Sequence, residues 1–292
     1  VSELCCDFAD LYPPGKHMPP RLGRKGDGIR MGVQVGGRLE SRPLPTMGGN
    51  HIALNAPYAY GAVWFGPNGR RFCNETFGGP ELAGFSGNQM DCSTIYCVFD
   101  EHILEHELQW SAPAHGSFDE NNPYHMECIQ SLLTAKNQPS IDLRLPPPVP
   151  RPVKIYMGKT PEELIRNAGL TGTTAENILD GISHYNQNCI NGCDDEFGRD
   201  PKLLDPLTDT LFLQAVDPVS ILLVTVGGFV TDENQQVLDA DYQKIQGLYA
   251  TGNCCGRRFG SQYSTPISGV SIGIAVTLGR EAGLRAAASA RQ

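Results

Sequence analysis

Residues 247–283 read GLYATGNCCGRRFGSQYSTPISGVSIGIAVTLGREAG, and this stretch decides the fold class of the chain. The apolar run at 248–251 predicts the end of a buried strand. A loop rich in glycine, serine, threonine and proline follows over 252–268. From Gly269, small and apolar residues continue through Ala288 and predict a helix of several turns. A helix that opens at a polar loop presents unpaired backbone N–H groups and a partial positive charge, which favours binding of an anion or an electron-rich ring.

This stretch resembles the C-terminal flavin-binding segment of the fumarate reductase and succinate dehydrogenase flavoprotein superfamily. That superfamily also contains the 3-ketosteroid Δ1-dehydrogenases. The resemblance implies FAD as the cofactor and a helix start that faces the flavin pyrimidine, where positive potential would stabilise the reduced, anionic flavin. By the same resemblance the cofactor contacts are Gly252 and Asn253 in the turn, and Gly269, Val270, Ser271 and Ile272 at the helix start.

A second flavin-domain element is indicated near the N-terminus. The residues Gly26-Asp27-Gly28 form a turn, and apolar residues at helical spacing follow over 29–35. The same superfamily has a similar Gly-Asp-Gly element in its flavin domain, and the resemblance implies that Asp27 contacts FAD. From the residues alone, the alternative is that Asp27 caps the helix that begins near Gly28, a role that Asp commonly fills.

The segment YGAVWFGPNGRRFCNE, residues 60–75, predicts a hairpin with a Gly-Pro-Asn-Gly turn. The superfamily has the same hairpin, ending in a basic residue, Phe, a variable residue, Asn or Asp, and Glu. The resemblance implies that Glu75 lies near the substrate. The alternative is a carboxylate at the end of a strand that pairs with Arg70 or Arg71.

The resemblance implies an α+β fold, in which a partial FAD-binding, Rossmann-like domain carries an inserted α+β cap domain. Its segments are 1–50 and 216–292 for the FAD domain and 51–215 for the cap. Within the cap, Thr160-Pro161-Glu162-Glu163 predicts a capped helix, and a second helix is expected from about Thr174 to Cys189.

The phosphate-binding fingerprint G-x-G-x-x-G after a strand does not occur in these 292 residues. In the superfamily it precedes all the segments matched here. We therefore expect it on a missing N-terminal segment or on a separate chain, and we expect weak FAD binding without it. The first residue is Val1, which suggests a processed, truncated or partial product.

The residues that grip a dicarboxylate in fumarate reductases are replaced here. Leu44 stands where those enzymes have a histidine before Pro-Thr, and Leu223 or Val224 stands where they have a histidine before the Gly-Gly turn. Tyr263 stands in place of the arginine of their C-terminal loop. The resemblance is therefore closer to the ketosteroid dehydrogenase branch, in which a loop tyrosine acts beside a ketone. The substrate is expected to be largely apolar.

Tyr263 is the predicted catalytic acid or base, because a phenol can exchange a proton with substrate carbon if its pKa is lowered. Arg257 and Arg258 are the predicted substrate-binding residues, since either could lower that pKa or hold a carbonyl oxygen. The alternative is a tyrosine that packs on Pro266, with both arginines in solvent.

Charge and cysteine content limit the other possibilities. A formal net charge of −9 argues against nucleic acid or an anionic membrane surface as a partner. No apolar run approaches the roughly 20 residues of a membrane span. The ten cysteines have no repeated C-x-x-C spacing, which indicates reduced thiols and a cytoplasmic location.

The sequence thus predicts an FAD-dependent oxidoreductase that transfers hydride between flavin and a C–C or C=C bond beside a carbonyl. One alternative is a non-catalytic fragment of such a flavoprotein. Another is a zinc hydrolase, because His102-Ile-Leu-Glu105-His106 fits the H-x-x-E-H pattern. A solvated helix face carrying the same three polar residues explains that pattern without a metal, and we predict no metal site.

Overall fold

The computed structural model describes residues 17–18, 26–41, 61–75, 94–109, 120–143, 153–216, 220–221, 227–259 and 269–291. Contacts group the chain into two compact units. The discontinuous unit comprises Val1–Gly48 and Val219–Gln292, and the central unit comprises Gly49–Pro218.

Both units contain helices and strands. The strands are β1 (His17–Met18), β2 (Ala62–Phe65), β3 (Ile95–Asp100), β4 (Ser140–Leu143), β5 (Val153–Gly158), β6 (Leu211–Val216), β7 (Ser220–Ile221), β8 (Gln236–Leu238) and β9 (Lys244–Tyr249). The helices are α1 (Asp27–Gln34), α2 (Ile103–Gln109), α3 (Pro123–Ala135), α4 (Pro161–Asn167), α5 (Gly172–Asn191) and α6 (Val270–Ser289). None of the described helices is both long enough and apolar enough to cross a membrane.

The central unit is built on a five-stranded sheet in the order β2-β3-β6-β5-β4, with every neighbouring pair antiparallel. Successive side chains of a strand point to opposite faces. Along β2, Trp64 therefore packs with α2 and α3 on one face, while Val63 packs with α4 and α5 on the other. Helices cover both faces, which explains why all four residues of β2 are buried.

Two local predictions for the central unit are confirmed. The N–H of Gly66 donates to the carbonyl of Arg70 at 2.8 Å, which closes the hairpin turn, although the returning strand is reduced to one bridge between Phe65 and Arg71. The hydroxyl of Thr160 accepts the N–H of Glu163 at 3.2 Å and caps α4. Helix α3 was not predicted, although its start has an Asn cap followed by proline.

The discontinuous unit has a small core in which Phe229 is central. The ring of Phe229 packs with Ile29 of α1, with Val237 of β8 and with Ala250, which follows β9. A Cβ at Gly32 would lie 2.3 Å from that ring, so only glycine allows α1 to approach this closely. The predicted helices of this unit, α1 and α6, are both present.

Candidate functional site

The turn after β9 lies directly against α6. Gly252 begins a 3₁₀ turn, Gly252–Cys254, with a φ of 56°. A Cβ at this position would lie 3.1 Å from the Cβ of Ala275 on α6. Glycine therefore satisfies two demands at once, since it adopts the left-handed conformation without strain and leaves room for the helix.

The first turn of α6 leaves backbone donors available. The helix follows Gly269, which has a φ of 80°, and no side chain caps it. The N–H groups of Val270, Ser271 and Ile272 have no partner within the helix, because each lies too near its start. Together with the helix dipole, these donors give the turn positive potential.

Asn253 connects the turn to the helix start and to Arg258. Its Oδ1 accepts the hydroxyl of Ser271 at 3.3 Å and Nη1 of Arg258 at 3.3 Å. Arg258 also donates through Nε to the carbonyl of Cys255 at 2.8 Å. The structure therefore brings together four predicted residues, Gly252, Asn253, Arg258 and Ser271, at one end of α6.

A pocket of 660 Å³ opens beside this group. That volume falls within the range usual for small-molecule sites, about 300–1,000 Å³. The pocket has an apolar wall from α6 and a more polar wall from the loop. Its lining residues are Thr231, Cys255, Gly256, Arg257, Arg258, Val270, Gly273, Ile274, Thr277 and Leu278.

Two of the remaining predicted residues in this unit lie at exposed positions. Asp27 is the exposed first residue of α1, and the N-cap is Gly26 with no side-chain cap hydrogen bond, so the alternative of an Asp27 cap is wrong. Arg257 is exposed, has a φ of 57° and is one of the residues that line the pocket. Contact of Asp27 with FAD stays a prediction.

Glu75 lies in the central unit, inside a buried ionic cluster. Its Oε1 and Oε2 accept Nε and Nη2 of Arg71 at 2.9 and 2.7 Å. Arg71 also donates through Nη1 to Asp194 at 2.7 Å, and the three side chains are at most 1% exposed. The carboxylate pairs with Arg71, as the alternative interpretation expected, and its role with substrate stays a prediction.

Asp194 and Arg71 stay charged although they are buried, because their hydrogen-bond partners offset the cost of burial. Burial by itself would raise the pKa of Asp194, but hydrogen bonds from Arg71 and from the backbone N–H of Arg199, together with the charge of Arg71, outweigh it and lower that pKa to about 2. Burial would lower the pKa of Arg71, and its hydrogen bonds to Glu75 and Asp194 instead raise it. Asp194 and Arg71 are therefore ionised at neutral pH.

The histidines of the H-x-x-E-H pattern bind aspartates. His102 contacts Asp209 at 3.0 Å, and His106 contacts Asp205 at 2.5 Å. The solvated-face interpretation is wrong for His106, which is 4% exposed because it packs against Gly61. Among the residues the structure describes, no group of three His, Cys, Asp or Glu side chains is placed to hold a metal.

Glu40 was missed by sequence reasoning. Its carboxylate accepts the N–H of Arg257 at 2.8 Å across a separation of 217 residues, and the N–H of Gly228 at 3.1 Å. No local pattern could pair residues so far apart. Tyr263, Leu44, Leu223 and Val224 lie outside the described residues.

The chain is similar to known flavoproteins over most of its length. Residues 2–270 match the family described as FAD binding domain. A vinyl phenol reductase of Lactiplantibacillus plantarum is 26% identical over 94% of this chain and 56% of that protein. A fumarate reductase (cytochrome) of Shewanella frigidimarina is 22% identical over 91% of this chain and 40% of that protein. The chain thus spans about half the length of the curated relatives it matches.

A solved structure gives the same result for the fold. The crystal structure of 3-ketosteroid Δ1-dehydrogenase from Sterolibacterium denitrificans, in complex with 1,4-androstadiene-3,17-dione, has a TM-score of 0.59 and 22% identity. It covers 91% of this chain and 47% of that one. The superfamily resemblance that the sequence suggested is confirmed.

Proposed function

The chain belongs to the FAD-binding domain family, and from that premise we propose that it forms the flavin-ring part of an oxidoreductase acting on CH–CH groups. The observation that carries the proposal is the meeting of Asn253, Arg258 and Ser271 at the start of α6, beside a 660 Å³ pocket. FAD is the cofactor of this family, as the sequence predicted.

The residues present fit the pyrimidine edge of a flavin. That edge carries hydrogen-bond acceptors, and the first turn of α6 offers N–H donors with no side-chain cap. Arg258 adds a positive charge next to Asn253. Gly252, Asn253, Gly269, Val270, Ser271 and Ile272 would hold the ring, with Asp27 a further contact.

Bound FAD would supply the hydride acceptor or donor. The chain's own residues would bind the substrate and transfer the proton. We assign the proton to the hydroxyl of Tyr263, and Arg257 and Arg258 would hold a carbonyl oxygen of the substrate. Glu75 is retained as a substrate-side residue, although its contact with substrate requires release from Arg71.

The rest of the site would consist of a phosphate cradle and a cap. A phosphate cradle would come from outside residues 1–292, on the same product or on another chain, because this sequence contains no G-x-G-x-x-G. The central unit, Gly49–Pro218, would act as the cap domain. Its separate three-layer core supports that assignment.

We propose a largely apolar substrate with a C–C or C=C bond beside a carbonyl. The loss of the dicarboxylate-binding residues at Leu44 and Tyr263 supports this class. One relative, the vinyl phenol reductase, is also named for an unsaturated ring compound. A cytoplasmic location is proposed as well, since the cysteines that the structure describes are free thiols.

The test is flavin retention by the protein expressed from its complete coding region. We expect a yellow protein that loses FAD when Asn253 is changed to Ala. Glu281→Ala, on the exposed side of the same helix, is the matched control and should keep its flavin. A wild-type protein that stays colourless with added FAD would instead support the non-catalytic fragment.

Catalysis is tested with Tyr263→Phe. The variant keeps the ring but loses the hydroxyl, so we expect turnover of an unsaturated ketone to fall by roughly 10²–10⁴-fold, the usual contribution of a positioned acid or base. Flavin absorbance should be unchanged. Equal turnover in variant and wild type would remove Tyr263 from the mechanism.

A further inference from the structure

Glu40 joins separate backbone segments of the discontinuous unit through both carboxylate oxygens. Oε1 accepts the N–H of Gly228 at 3.1 Å, and Oε2 accepts the N–H of Arg257 at 2.8 Å. The backbone N–H of Glu40 also donates to the carbonyl of Gly228 at 3.0 Å. A Cβ at position 256 would lie 2.9 Å from Oε1, so Gly256 leaves the carboxylate room to reach both donors.

The residue that Glu40 holds is in an unfavourable conformation. Arg257 has a φ of 57°, in the left-handed region that a residue with a Cβ rarely adopts. Such a conformation persists only where surrounding contacts maintain it. The hydrogen bond to Glu40 belongs to the stronger, charge-assisted class, and its acceptor comes from a distant segment of the chain.

Arg258 follows this turn directly, and its side chain folds back onto the loop. Nε donates to the carbonyl of Cys255 at 2.8 Å, and Nη1 donates to Oδ1 of Asn253 at 3.3 Å. The same oxygen accepts the hydroxyl of Ser271 in the first turn of α6. The position of the guanidinium therefore depends on the backbone turn before it.

From these contacts we infer that Glu40 is a positioning residue, which holds the left-handed turn at Arg257 and thereby places the Arg258 guanidinium beside Asn253 at the start of α6. This inference rests on the proposed function, in which that guanidinium adds positive charge next to the flavin ring. Glu40 contacts neither ring nor substrate and acts through the loop alone.

The first experiment measures trypsin cleavage after Arg258 in the protein expressed from its complete coding region. Cleavage in a folded protein follows the population of the locally opened state. We expect Glu40→Ala to raise the rate about tenfold, the factor for losing one hydrogen bond to a charged group. Glu233→Ala removes an exposed glutamate of the same unit and should leave the rate unchanged. An unchanged rate in Glu40→Ala overturns the inference.

A second variant separates positioning from general support of the fold. Glycine adopts a positive φ without steric cost, so Arg257→Gly should make the turn independent of Glu40. In that background, Glu40→Ala should change cleavage after Arg258 by less than about threefold. An equal tenfold effect in both backgrounds would mean that Glu40 acts elsewhere, for example only on Gly228, and would overturn the inference.

Glu40→Gln provides a milder change if Glu40→Ala does not fold, as judged by circular dichroism. The amide keeps one acceptor oxygen, so cleavage after Arg258 should be faster than in wild type, but by less than about tenfold. If only Glu40→Gln folds, a cleavage rate equal to that of wild type contradicts the proposed role.

FAD affinity of the same proteins connects the loop to the cofactor. We expect Glu40→Ala to weaken FAD binding, and Arg257→Gly to reduce the effect of that substitution. If the wild type binds no FAD, the proposed function fails, while the protease comparison still decides whether Glu40 places Arg258. If Glu40→Ala is cleaved faster but binds FAD as tightly as wild type, its role towards the flavin is overturned.

Discussion

Replacing Arg71 with Met should strongly destabilise the central unit, because two carboxylates depend on this one guanidinium. Arg71 makes hydrogen bonds of 2.7 and 2.9 Å to Glu75, and of 2.7 and 2.9 Å to Asp194. Methionine keeps the apolar stem but leaves these charges buried. Arg199 remains 3.5 Å from Glu75, and the backbone N–H of Arg199 still donates to Asp194 at 3.0 Å, so each carboxylate keeps part of its compensation but loses its two short hydrogen bonds from Arg71. Removing one partner of a buried pair costs about 3–5 kcal/mol of unfolding free energy.

Urea unfolding followed by tryptophan fluorescence measures this loss. The chain has two tryptophans, and both positions, Trp64 and Trp110, fall within the central unit. The backbone N–H of Trp64 also donates to Glu75, so this probe lies beside the cluster. Arg70→Met is the matched control, because Arg70 is exposed and its replacement should change stability by no more than about 0.5 kcal/mol.

The effect of Arg71→Met should also depend on pH. In the wild type the pKa of Asp194 is about 2, below its usual 3.8, so its contribution is present above pH 3.8 and is lost as pH falls through 2. Without Arg71 the buried carboxylate has a higher pKa, and protonation relieves its burial. The stability gap to wild type should therefore narrow as pH falls from about 7 to 4. A stability loss in Arg71→Met no larger than that in Arg70→Met would refute the reasoning, and so would a stability loss that does not change with pH.

Two further predictions concern conformation and titration. Gly252→Ala should destabilise the discontinuous unit by about 1–2 kcal/mol, because alanine is strained at a φ of 56°. Gly283→Ala lies in open helical space and should stabilise the same unit by up to about 1 kcal/mol. Thermal unfolding of both variants measures these changes, and equal effects of the two substitutions would contradict the prediction. The hydrogen bond to Asp209 raises the pKa of His102, so its stabilisation is present at low pH and is lost as pH rises through the raised pKa. Asp209→Asn should lose this pH-dependent stabilisation. Unfolding curves of wild type and variant, measured between about pH 5.5 and 8, should show a difference in stability that becomes smaller as pH rises. A difference in stability that does not change with pH would contradict the prediction.

Sequence alone predicted the features that neighbouring residues encode. Small apolar residues after Gly269 predicted α6, and Thr160 followed by proline predicted the cap of α4, because helix starts depend on residues within one turn. The turn motif around Gly252 led to the superfamily, which the comparisons confirm. The start of α3 had the same kind of local signal, an Asn cap before proline, and was overlooked.

Only the tertiary structure decided which polar groups meet. Glu75 could have faced substrate or an arginine, and the fold places it with Arg71 and out of solvent. His106 was expected in solvent, yet packing against Gly61 buries it. The contact of Glu40 with Arg257 crosses 217 residues. Caps and turns follow from local backbone chemistry, whereas the partner of a charged side chain depends on which distant segments the packed core brings together.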